Sequence, residues 1–135
     1  MASLPTLGWK CIIGLMPSNP ILLSIEPRFR INCGRRFAFG PGKAELLEHI
    51  ELTGSITEAA KAMGMSYMRA WMLVKSMEKG LAEPLVRKLR GGSSRGGAEL
   101  TDTGREMIRL YRELEAKTGI AVRELRKKFS RLLKK

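Results

Sequence analysis

The chain has 135 residues, with 25 Lys and Arg against 13 Asp and Glu, for a formal net charge of +12. This length suits one compact domain with an extension, and the positive excess favours polyanionic partners. Two cysteines, Cys11 and Cys33, and one histidine, His49, are too few for a zinc site; no apolar run approaches the roughly 20 residues that span a bilayer, so a cytoplasmic protein with free thiols and no metal or cofactor is expected.

Residues 1–26 carry little pattern. Pro5, Pro17 and Pro20, with Pro27 just beyond, break any long helix. The apolar patch from Cys11 to Met16 lacks a basic start and a small-residue cleavage site, so a signal peptide is not expected. An irregular N-terminal arm is. From Arg28 the pattern sharpens: Phe29 and Ile31 alternate with Arg28 and Arg30, and Phe37 and Phe39 alternate after Gly34-Arg35-Arg36. Two alternating runs around Asn32-Cys33-Gly34 predict a β-hairpin, ended by Gly40-Pro41-Gly42. Leu46, Leu47 and Ile50 then make one face of a helix from about Lys43 to Leu52, stopped by Thr53-Gly54. His49 reads as a surface or edge residue of that helix.

Residues 53–79 carry the most information. Ser55 is placed to N-cap a short helix, and Glu58 three residues later completes a capping-box pattern. Ala59, Ala60 and Met63 share a face on which small side chains admit a close neighbour. Gly64 supplies a left-handed stop, Ser66 is a second N-cap, and Ala70, Val74 and Met77 recur at helical spacing behind it. A capped small-residue helix, a glycine turn and a second capped helix is the layout of a DNA-binding helix-turn-helix. This unit is electrically balanced, because residues 41–80 hold five Lys/Arg and five Glu, whereas residues 101–135 hold eleven against five.

Beyond it, Leu85, Val86 and Leu89 support a strand, Gly91-Gly92-Ser93-Ser94-Arg95-Gly96-Gly97 a loop, and Ala98-Glu99-Leu100 a returning strand. Strand, glycine loop and strand after a helix-turn-helix read as a β-wing, whose glycines let backbone lie close to phosphate. A nucleotide-binding loop is the competing reading; it lacks the Gly-Lys-Ser/Thr that opens a helix in that motif. Thr101 caps a last long helix, with Asp102 favourable in its first turn. Along it Ile108, Tyr111, Leu114, Ala121 or Val122, Leu125, Phe129 and Leu132 recur at steps of three or four, and Gly119 is a point of bending or division. So long a stripe exceeds what a small domain covers and suggests dimerisation; the alternative is a solvated basic tail beyond Gly119.

The candidate DNA contacts follow. On the second helix of the motif, Ser66, Tyr67, Met68, Arg69, Met72 and Lys75 lie off the core face, and Ser55 opens the first. Arg69 suits a guanine edge, Tyr67 a phosphate and Met68 a thymine methyl; a surface salt bridge is the plain alternative for Arg69, and Trp71 reads as packing, with base contact as the alternative. In the wing, Arg90, Ser93, Ser94 and Arg95 are the candidates. The dimer candidates are Ile108, Tyr111, Leu114, Leu125 and Phe129.

From about Arg28 to Thr118 the chain resembles the N-terminal DNA-binding domain of the ModE family of molybdate-responsive transcriptional regulators. The resemblance rests on Gly40-Pro41-Gly42-Lys43, Leu46-Leu47-Glu48-His49-Ile50, Thr53-Gly54-Ser55-Ile56, Ala59-Ala60-Lys61, Gly64-Met65-Ser66-Tyr67 with Ala70-Trp71, the paired glycines Gly91-Gly92 and Gly96-Gly97, and Leu100-Thr101 with Gly104. More distantly the unit is similar to the winged helix-turn-helix of the LysR family. The resemblance implies a dimer whose recognition helices enter successive major grooves. ModE-type regulators carry molybdate-binding domains after this unit, whereas this sequence runs out at Lys135 in a Lys/Arg-rich tail, so DNA binding is expected of it and molybdate binding is not.

The expectation is thus a mainly α fold with small β elements: an irregular arm over 1–26, a winged helix-turn-helix with an N-terminal β-hairpin over 27–100, and a long C-terminal dimerisation helix with a basic tail over 101–135. The function expected is sequence-specific binding of double-stranded DNA by a homodimeric transcriptional regulator. The alternative is a protein-interaction module with nonspecific polyanion or RNA affinity. With one histidine and no converging carboxylate, Ser/His or metal set in the sequence, an enzyme is not expected.

Overall fold

The computed structural model describes residues 23–90 and 97–133. Positions 1–22 of the expected arm, Cys11 among them, and residues 91–96 of the expected wing loop lie outside the described residues.

Strands β1 (Ile31–Cys33) and β2 (Phe37–Phe39) pair antiparallel, with Ile31 opposite Phe39 and Cys33 opposite Phe37. The reversal falls on Gly34-Arg35-Arg36, later than the alternation suggested. Gly34 has φ +56° and begins it, and the Arg36 N–H closes it on the Cys33 carbonyl at 3.3 Å; the left-handed residue sets the turn, so Asn32 and Cys33 stay in the ladder. Phe37 and Phe39 are buried, while all of β1 is exposed.

Helix α1 (Pro41–Thr53) starts two residues before Lys43, because Pro41 sits in the first turn, where its missing N–H removes nothing. It ends at Gly54, whose φ of +67° lets its N–H return to the Ile50 carbonyl. Helices α2 (Ile56–Ala62) and α3 (Tyr67–Glu78) follow, each capped as expected: the Glu58 N–H donates to the Ser55 hydroxyl at 3.2 Å and the Arg69 N–H to the Ser66 hydroxyl at 3.1 Å. The capping box is half made. The Ser55 N–H donates to the Thr53 hydroxyl, and the Glu58 carboxylate turns outward to Lys61 at 3.2 Å. Gly64, at φ +65°, makes the turn between α2 and α3.

Strands β3 (Val86–Lys88) and β4 (Ala98–Leu100) form the stem of the wing, with Val86 opposite Leu100. The stem is docked rather than free: the Ala98 N–H donates to the Gly54 carbonyl at 2.8 Å. Thr101 caps α4 (Asp102–Ala121) by accepting from the Gly104 N–H at 3.1 Å, and its hydroxyl donates to the Pro84 carbonyl at 2.6 Å. Gly104 is required there, since a Cβ would collide with the Leu85 carbonyl. Helix α4 passes through Gly119 unbroken; the division falls at Val122, after which α5 (Arg123–Leu132) begins.

One core unites these elements. Leu46, Leu47 and Ile50 of α1, Ala59 and Ala60 of α2, Ala70, Val74 and Met77 of α3, Phe39 of β2, Leu85 and Leu100 of the wing stem, and Tyr111 of α4 are all essentially inaccessible. Helix α4 is further tied to α1 by a two-pronged ion pair, Arg112 to Glu48 at 2.6 Å for each prong, with Glu115 on the same guanidinium.

Candidate nucleic-acid interface

Helix α3 divides its faces as its spacing dictates. Ala70, Val74 and Met77 are completely buried, which leaves Tyr67, Met68, Arg69 and Met72 exposed on the other side. Met68 and Met72 are about two-thirds exposed, at 60% and 64%, an open apolar surface that nothing in the chain covers among the described residues. Ser66, Met68, Arg69 and Met72 line one shallow groove together with Leu73 and Ser76. Four of the candidate DNA contacts of this helix thus share one groove, whereas Tyr67 and Lys75 do not line it. Arg69 has no carboxylate partner among the described residues, so the surface salt bridge considered for it is not formed. The hydroxyls of Ser55 and Ser66 are engaged by their own helix caps, each accepting one backbone bond, and keep the O–H and a second lone pair to offer.

Trp71 packs against the core, and it also carries contacts that the sequence did not indicate. Its ring is half-buried at the rim of the core, and two ammonium groups lie against it: Lys75 Nζ at 4.4 Å from the ring centroid and Lys88 Nζ at 4.0 Å. Lys75 comes from the same helix, one turn on. Lys88 comes from β3, so the wing stem reaches back across the recognition helix, to within 5.9 Å of the Tyr67 ring as well.

Glu78 fixes this arrangement. One carboxylate oxygen accepts from the Leu85 N–H at 3.0 Å and the Val86 N–H at 3.2 Å, and the other from Lys75 at 2.8 Å. The start of β3 is thereby hung from the end of α3. Sequence reasoning missed Glu78 and Lys88. The Lys75-x-x-Glu78 spacing was a visible signal for the helix pair, but nothing local marks a carboxylate that caps another element's backbone. In the wing, Arg90 is exposed at the end of the stem, and Ser93, Ser94 and Arg95 lie outside the described residues.

The dimer candidates separate into two groups. Tyr111 belongs to the chain's own core: it is fully buried, packs edge-on against Phe39 with centroids 5.4 Å apart, and donates its hydroxyl to the Phe29 carbonyl at 3.0 Å. It is thus withdrawn as an interface residue, because its surface is already spent inside the chain. Ile108 is half-buried and packs on the same core. Leu114, Leu125 and Phe129 are exposed, together with Leu110, Ile120 and Leu132.

Among the described residues, no helix is long and apolar enough to cross a membrane, and no group of His, Cys, Asp or Glu is placed to hold a metal ion. Cys33 is an exposed free thiol.

Comparison with known proteins places this geometry. Residues 42–105, from α1 to the first turn of α4, match the bacterial regulatory helix-turn-helix proteins of the lysR family. The chain is 44% identical over 78 residues to the molybdenum transport protein ModE of Azotobacter vinelandii, covering 58% of this chain and 29% of that protein. It is 42% identical over 71 residues to the DNA-binding transcriptional dual regulator ModE of Escherichia coli K12, covering 53% and 27%. With the transcriptional regulator ModE of Haemophilus influenzae it shares 37% identity over 100 residues, covering 74% and 37%. The chain thus spans about a third of the length of these curated relatives.

Proposed function

Residues 42–105 form a ModE-like helix-turn-helix domain, and from that premise we propose that the chain is a transcriptional regulator that binds double-stranded DNA sequence-specifically, without catalysis. The observation that carries this is the division of α3. Its buried face locks it to α1 and α2, and its first turns leave Tyr67, Met68, Arg69 and Met72 exposed. In a helix-turn-helix those turns meet base edges in the major groove, and the preceding helix crosses the backbone. Arg69 has the fork geometry to bond guanine O6 and N7 together, and Met68 and Met72 offer apolar contact to thymine methyl groups.

The protein acts as a homodimer through the exposed apolar residues of α4 and α5, chiefly Leu114, Leu125 and Phe129. Two recognition helices then read half-sites about 34–36 Å apart. The relatives' names refer to molybdenum transport and DNA-binding transcriptional regulation; for this chain we assign the DNA function and no selective molybdate site, which calorimetry with molybdate against sulfate checks directly.

Selection of binding sites from randomised duplex DNA is the decisive experiment. The wild-type chain enriches a defined sequence. Arg69→Ala loses about 1–3 kcal/mol at that sequence and relaxes preference at one base position. Enrichment of no sequence, or equal affinity for duplex DNA and RNA, favours instead a polyanion-binding interaction module and overturns the proposal.

A further inference from the structure

The Lys88 ammonium is held in an unusual place. It projects from the wing stem yet lies 4.0 Å from the centroid of Trp71 and 5.9 Å from that of Tyr67, both on the first two turns of α3. The other lysine at this indole, Lys75, is paired with Glu78 at 2.8 Å. Arg87, next to Lys88 on β3, is paired with Glu99 at 3.4 Å. No carboxylate among the described residues pairs with Lys88. An aromatic face attracts a cation through its quadrupole without consuming its hydrogen bonds, so Lys88 is positioned and keeps its N–H donors. Its strand is positioned too, because Glu78 holds the Leu85 and Val86 N–H groups.

We infer that Lys88 is a pre-positioned phosphate contact at the junction of recognition helix and wing, with Trp71 as the positioning residue that holds it there. The inference rests on the DNA-binding reading and deepens it. A helix inserted in the major groove is flanked by the phosphates of the groove walls, and Lys88 is the cation held beside the turns of α3 that would be inserted. Phosphate contacts of this kind set register and orientation without reading sequence. The recognition helix would then be seated by a residue of the stem, leaving base choice to Arg69, Met68 and Met72.

The test uses the full chain, the selected duplex and a scrambled duplex, titrated by fluorescence anisotropy across a series of salt concentrations. K88A should weaken binding to both duplexes by the same factor and reduce the slope of log affinity against log salt by about 0.9, the value for one phosphate contact. K88R should restore the slope. W71L should weaken binding in the wild-type background and have little further effect on K88A; if W71L fails to fold, W71F, which keeps a ring with a weaker quadrupole, replaces it in the same cycle. An unchanged slope in K88A, or a loss confined to the selected duplex, overturns the phosphate contact while leaving the DNA-binding reading intact. Additive effects of W71L and K88A overturn the positioning role of Trp71. Failure of the wild-type chain to bind any duplex would instead remove the functional reading itself, and this inference with it.

Discussion

Glu78 offers the sharpest test of how the wing is attached. Its side chain is 12% exposed and takes three donors: the N–H groups of Leu85 and Val86, at 3.0 and 3.2 Å, and Lys75 at 2.8 Å. Both backbone donors belong to buried residues, so Glu78→Ala strands two N–H groups where water has little access. At about 1–3 kcal/mol for each orphaned donor, reduced by partial hydration of this half-buried site, the expected loss is about 2–4 kcal/mol. Glu78→Gln keeps the carbonyl oxygen that accepts from the backbone and gives up only the charge and the Lys75 pair, for an expected loss of about 1 kcal/mol. Urea unfolding of the three proteins gives the comparison, with the order wild type, Gln, Ala. Equal stability of Glu78→Ala and wild type, or equal losses for Ala and Gln, would refute the reasoning, because the first denies the orphaned donors and the second assigns the whole effect to charge.

Trp71→Ala should cost roughly 2–3 kcal/mol in a thermal or urea melt, at or below the low end for a fully buried aromatic, because part of the residue stays open at the rim of the core; a loss above about 4 kcal/mol would place the whole ring in the core. Tyr111→Phe should cost about 0.5–1.5 kcal/mol through the lost bond to the Phe29 carbonyl. Burial also raises the Tyr111 phenol above its ordinary pKa of 10, so its contribution is complete below that value and is lost as pH rises through the higher folded value. Wild type should therefore lose stability on the alkaline side faster than Tyr111→Phe, and parallel curves would contradict the assignment. Replacing Leu114 and Leu125 together by Glu should give monomers in sedimentation without changing the melt of the helix-turn-helix, and a persistent dimer would move the interface away from α4 and α5.

What was legible in the sequence was local. Ser55, Ser66 and Thr101 mark helix starts because the bond that makes a cap closes within three residues, and Gly54 and Gly64 mark stops because only the backbone of one residue is involved. Where two local signals competed, the weaker one misled. Gly119 read as a break, but an interior glycine costs only about 1 kcal/mol, and α4 simply continues through it to Ala121. The apolar stripe identified a face without saying what covers it. Tyr111 meets Phe39 and is consumed by the core, whereas Leu114, one turn on, is exposed. Periodicity records the orientation of side chains along one helix; the length of the surface opposite is set by α1 and the hairpin, many residues away.

Charge shows the same limit with a functional consequence. Counted along the chain, residues 101–135 are its most basic segment, which would place polyanion binding on the last helices. Folding redistributes that charge. Arg105 pairs with Glu51, Arg109 with Glu106 and Glu113, Arg112 with Glu48 and Glu115, and Lys117 with Glu113, so the basic residues of α4 are neutralised by neighbours on α1 and on α4 itself. A cation already bonded to a carboxylate gains little from a phosphate, since it must give up one partner for the other. Among the described residues Arg69 of α3 and Lys88 and Arg90 of the wing stem have no such partner, and neither do Arg30, Arg35 and Arg36 around the first hairpin or Lys43 and Lys79; none of these lies on α4. The cations of α5 other than Lys127 are also unpaired among the described residues, so a second patch remains beyond Val122. Salt dependence of DNA binding counts cations that exchange counterions for phosphate; its slope should therefore follow those unpaired cations that reach the duplex, and not the net charge of +12 that first suggested a polyanionic partner.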